Sequence, residues 1–70
     1  MNRRDVESSM IRSIGHDAEN SILEIEFKSG AVWNYYDVSE TAWFEFESAE
    51  SHGKYFLANI KGQYREGQVG

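Results

Sequence analysis

The sequence predicts an α+β fold: a three-stranded antiparallel β-meander followed by two helices packed on one face, in the order β-β-β-α-α. Three observations carry this reading. Residues 22–28 alternate apolar and charged side chains with a period of two. A glycine turn, Ser29-Gly30, separates them from a second β-rich run. After Val38 the pattern changes to helical spacing with capping residues at the start.

The first strand is expected over residues 9–16, with its alternation broken at Gly15. The turn formers Asp17-Ala18-Glu19-Asn20-Ser21 close it. In the second strand Leu23, Ile25 and Phe27 share one face, and Glu24, Glu26 and Lys28 share the other. The third strand covers residues 31–37. Two registers join these last two strands. A two-residue turn at Ser29-Gly30 pairs Phe27 with Val32 and sends Trp33 and Tyr35 to the glutamate face. A three-residue turn, Lys28-Ser29-Gly30, puts Gly30 in the left-handed position of a bulge and pairs Phe27 with Ala31, Ile25 with Trp33 and Leu23 with Tyr35. The second is favoured because it gathers five apolar side chains on one face, and a one-residue slip moves them all.

The first helix begins with Ser39 as N-cap and Glu40 in the positive first turn. Val38 and Trp43 occupy the positions of a hydrophobic staple. Trp43, Phe46 and Ala49 form a narrow apolar stripe, with Phe44 beside it. A second helix starts near Ser51, pairs Phe56 with Ile60 and Tyr55 with Asn59 at i, i+4, and is capped by Gly62. The whole of 1–70 reads as one domain, with residues 1–5 and 66–70 flexible.

Size and composition narrow the function. A chain of 70 residues builds a small core and needs an additional source of stability. It has no cysteine, which removes disulfides and thiolate metal sites, and only two histidines. Self-association is therefore expected, giving a homo-oligomer. Twelve acidic residues against seven basic ones leave a net charge of −5. That disfavours a sequence-indifferent nucleic-acid binder, which needs a broad basic face. No apolar run is long enough to span a membrane, and the start Met1-Asn2-Arg3-Arg4-Asp5-Val6 has no apolar signal region, so a cytoplasmic protein is expected.

No catalytic constellation is visible, so the chain reads as a non-enzyme with no cofactor and no metal. Ser8 and Ser9 lack a base within reach, since His16 lies further along the same extended strand. His16 and Asp17 are adjacent and would point to opposite faces. The glycines match no phosphate-loop spacing. Groups suited to binding are more abundant. Trp33 and Tyr35 form either core or a stacking platform for a base. His52, Lys54, Tyr55, Asn59, Lys61, Tyr64 and Arg65 concentrate cations and aromatics at the start of the second helix and beyond it. Arg3, Arg4 and Arg12 make a third, smaller basic cluster.

Several landmarks resemble the KTSC domain: Ile14-Gly15-His16-Asp17, Leu23-Glu24-Ile25-Glu26-Phe27, Ser29-Gly30, Trp33-Asn34-Tyr35, Gly53-Lys54-Tyr55-Phe56, Ile60 and Tyr64, in that order. The resemblance spans roughly residues 6–65. It departs from the family pattern at His16, Trp33, Ser39 and Leu57, where the family usually has tyrosine, tyrosine, proline and asparagine. The resemblance implies a domain found at the C-terminus of some lysyl-tRNA synthetases and as a stand-alone bacterial or phage protein. It implies RNA binding by association and supplies no catalytic residues.

Charge then chooses among ligands. A long RNA needs a track of phosphate contacts that −5 opposes, whereas a compact nucleotide needs two or three cations, an aromatic stack and a few polar donors. The expected function is a non-enzymatic binding module for a nucleotide-type ligand, similar in size and composition to phage proteins that sequester cyclic-nucleotide signals. Trp33 or Tyr35 and Tyr55 would stack on bases. Lys54, Lys61 and Arg65, with Arg12 and Tyr64 nearby, would meet phosphates, and Ser9 and Asn59 would bond base edges or ribose. An RNA-binding accessory domain and a protein-interaction module are the alternatives.

Overall fold

The computed structural model describes all 70 residues. Five antiparallel strands form one sheet: β1 (Arg4–Asp5), β2 (Ile11–Asp17), β3 (Ile22–Phe27), β4 (Val32–Tyr36) and β5 (Glu66–Gln68), each paired with the next in chain order. Between β4 and β5 the chain makes α1 (Glu40–Glu47), the short α2 (His52–Tyr55) and, continuing from it, a π-helical turn (Phe56–Ile60). The α+β class with antiparallel sheet and two helices is as the sequence indicates. The strand count is not: five strands replace the expected three. The two additional ones lie in the terminal segments read as flexible, and are too short to show a period. What holds them is backbone pairing, with Arg4 opposite Ile14 and Gly67 opposite Asn34.

The β3–β4 register is the one the three-residue turn predicts. Ile25 faces Trp33 and Leu23 faces Tyr35, Gly30 has φ +100°, and the Phe27 N–H donates to the Ala31 carbonyl at 2.9 Å. The irregularity in β2 sits at Arg12 rather than Gly15. Ile11 opposes Phe27 while Ser13 opposes Glu26, so Arg12 is the extra residue of a bulge. The bulge lets Ile11 and Ile14, three positions apart, both be fully buried on one face.

That face is the core. Ile11, Ile14, Leu23, Ile25 and Tyr35 from the sheet pack with Val38, Phe46, Phe56 and Ile60 from the helical segment. Ser39 caps α1, its Oγ accepting from the Ala42 N–H at 3.1 Å, and Ser51 caps α2 in the same way through Lys54 at 3.2 Å. Of the apolar stripe expected on α1, Phe46 is buried, whereas Phe44 is exposed. Gly62 follows the π turn with φ +79°, as a helix-ending glycine does.

The opposite face of the sheet is polar. Glu24, Glu26 and Ser13 lie there, and the N-terminal segment crosses it over Gly15, where an added Cβ would stand 2.8 Å from the Asn2 carbonyl oxygen and 2.9 Å from the Arg3 side chain. Arg3 is held by Glu24 at 3.2 Å and Glu26 at 3.8 Å. No helix is long and apolar enough to cross a membrane.

Candidate functional site

A cleft of about 280 Å³ opens on the helix side of the sheet, between the β3–β4 hairpin and the π turn. The hairpin contributes Phe27, Ser29, Ala31, Trp33 and Tyr35. The pleat explains the choice: Phe27 and Ala31 flank the turn, and Trp33 and Tyr35 follow on the same face. Met10, before β2, closes one end. The helical side contributes Phe56, Leu57 and Lys61. In the π turn the Lys61 N–H donates to the Phe56 carbonyl at 2.9 Å, five residues back. Such turns are rare and recur at functional sites. Glu66, the first residue of β5, completes the rim.

The walls are aromatic. Phe56 meets Phe27 edge-on at 5.3 Å and Tyr35 edge-on at 5.7 Å. Tyr35 is only 3% exposed, and its hydroxyl has no hydrogen-bond partner in the protein. Burial above all, and the Glu66 carboxylate next, push this phenol up to about 12, so it stays a protonated donor over the physiological range. Lys61 and Glu66 border the same cleft without pairing with each other. The cleft therefore offers an apolar, aromatic-walled space with a cation, a carboxylate, a phenol and the Ser29 hydroxyl on its polar side.

Of the residues singled out in the sequence, the structure brings Trp33, Tyr35 and Lys61 together here. Trp33 is half-buried and lines the cleft. Tyr35 is core, and its ring presents no free face for a base, which corrects the expectation that either could stack. Tyr55 packs its ring on Phe46 at 5.6 Å, so it too is a packing residue; burial, then the Glu45 carboxylate, raises its pKa. Lys54 is exposed on α2, and its backbone N–H is taken by Ser51. Arg65 sits over the Tyr36 ring at 5.1 Å, and Arg12 lies 4.0 Å from Glu26. Ser9 and Asn59 are exposed outside the cleft, and Tyr64 packs against the core. Sequence reasoning missed Leu57 and Glu66 as site residues. Leu57 carried a signal, being an apolar residue at a position it departs from in the family pattern. Glu66 carried none.

The histidines serve the backbone. His16 Nε2 lies 2.8 Å from the Val38 carbonyl oxygen, with its ring stacked on Trp43, and His52 Nε2 lies 3.0 Å from that of Glu47. No three histidine or carboxylate side chains are grouped so as to hold a metal ion.

The KTSC domain model matches residues 7–64, most of the chain. The chain belongs to the KTSC domain family. A KTSC domain protein from Yersinia pestis has a crystal structure that superposes with a TM-score of 0.95 at 40% identity, covering 99% of this chain and 97% of that one. An uncharacterized protein of Stutzerimonas stutzeri is 39% identical over 64 residues, 91% of this chain and 90% of its own length. A lysine--tRNA ligase of Nostoc sp. is 35% identical over 63 residues, which are 90% of this chain but 11% of the ligase. The KTSC domain thus occurs both as a protein of its own and as a small part of a larger one.

Proposed function

We propose that this KTSC domain protein is a non-catalytic binding module for a compact nucleotide-type ligand, held in the cleft between the β3–β4 hairpin and the π turn. The observation that carries the reading is Tyr35 at the cleft wall, its hydroxyl without a hydrogen-bond partner in the protein and accessible, beside an unpaired lysine. A phenol with no protein partner is free to donate to a ligand that enters the cleft. In this reading the Trp33 indole forms the wall for a base, Lys61 meets a phosphate, and Tyr35 donates a hydrogen bond. The volume, near the lower end of the roughly 300–1,000 Å³ typical of ligand pockets, suits one mononucleotide-sized group. Both histidines are engaged with backbone carbonyls, which supports binding rather than general-base chemistry. A module of this kind sequesters or senses its ligand.

The lysine--tRNA ligase relatives favour a second reading, an RNA-binding accessory domain. Against it stand the net charge of −5 and the pairing of Arg3, Arg4 and Arg12 with carboxylates, which withdraws three of the seven cations from phosphate contact. Calorimetric titration with AMP, cyclic AMP and a short single-stranded RNA, at about 50 and 200 mM salt, separates the two. The cleft reading predicts a mononucleotide affinity that changes little with salt and falls at least tenfold, about 1.4 kcal/mol, in Lys61→Ala but not in Lys54→Ala. Binding confined to RNA, lost at the higher salt and indifferent to Lys61, would overturn it.

A further inference from the structure

Lys61 and Glu66 stand on one apolar cleft with opposite charges, yet they do not pair. Each charge therefore keeps its capacity for something placed between them. Their positions are fixed separately. Lys61 is set by the π turn, and Glu66 by the β4–β5 ladder, in which it lies directly opposite Tyr35. An ionised carboxylate only accepts hydrogen bonds, and a lysine ammonium only donates them. The cleft is thus polar in a fixed sense: donor and positive at the π turn, acceptor and negative at the β5 edge, with the Trp33 indole along the apolar wall.

Resting on the cleft-binding reading above, we infer that the ligand is bipolar, with its anionic group on Lys61 and an N–H donor on its ring held by Glu66, so that Glu66 selects amino-bearing bases. A ring without such a donor leaves the carboxylate facing an apolar edge or a ring-nitrogen lone pair, which desolvates or repels it. Sites built to hydrogen-bond a ligand N–H reject the analogue that lacks it. The anion supplies affinity in both cases, and the amino group supplies the difference.

AMP and purine riboside 5′-monophosphate differ only in the exocyclic amino group and make the comparison direct. Both are titrated by calorimetry into the full chain and into Glu66→Ala. Glu66 is exposed, so its truncation leaves the fold intact, and a matching melting curve verifies this. The expected result is about tenfold weaker binding of the analogue to the native chain, with the difference gone in Glu66→Ala. Equal affinity for the two nucleotides, or discrimination that survives in Glu66→Ala, would overturn this inference while leaving the cleft reading in place. Binding of neither nucleotide would overturn both.

Discussion

At the residue scale, Tyr35 bears on both the packing of the core and the proposed binding. Its ring fills the core against Phe56, and its hydroxyl bonds nothing in the protein. Tyr35→Phe keeps the ring and removes only the oxygen, so stability should change by no more than about 0.5 kcal/mol while mononucleotide affinity falls; chemical denaturation and calorimetry check the two halves. The phenol also predicts a pH dependence. Its pKa rises from the ordinary 10 to about 12 in the folded chain. The unfolded chain therefore ionises first, and the stability contributed by the neutral phenol is intact below pH 10 and lost as pH rises towards 12. The melting temperature should fall over that window and fall less in Tyr35→Phe. The fall should not vanish, because Tyr55 is raised as well. The sequence placed Trp33 and Tyr35 side by side on one strand face, but left core and platform unresolved. Only the packing of Phe56, a residue 21 positions further on, assigns Tyr35 to the core.

The elements show which signals are local. The alternation of residues 22–27, the glycine turn and the Ser39 cap are all written within a few residues, and the structure follows each of them. Ser39→Ala should remove about 1 kcal/mol, a drop in melting temperature of about 4–8 °C for a domain of this size, measured by circular dichroism. The π turn was not legible in this way. Phe56 and Ile60 are spaced as in an α-helix, and both are buried, so the periodicity reads the same in either form. The difference is one hydrogen-bond register, and it places Leu57 at the cleft although that residue is 54% exposed. Leu57→Asn should therefore leave stability within about 0.5 kcal/mol, since little apolar surface leaves the core, yet weaken nucleotide binding by narrowing the apolar wall; paired melting and titration curves test this. The terminal strands were equally hidden. Two- and three-residue segments carry no period, and β1 and β5 are held by their neighbours in the sheet.

At the scale of the whole molecule, charge is sorted. Arg3, Arg4 and Arg12 are tied to Glu24, Glu47 and Glu26, and the N-terminal segment lies across the polar face of the sheet over Gly15. Gly15→Val should lift that segment off; hydrogen exchange at β1 would quicken, with a smaller effect on β3 and β4. On the other face the cleft carries the unpaired Lys61 and the unpartnered Tyr35 hydroxyl. The composition, at −5, could not say which cations were spent on the sheet and which were free. The measurement that bears most directly on the account is a nuclear magnetic resonance titration of the isotopically labelled chain with AMP. Nucleotide held in the cleft shifts resonances concentrated at Trp33, Leu57, Lys61 and Glu66. Shifts confined to Lys54 and Arg65, or none at saturating nucleotide, would contradict it.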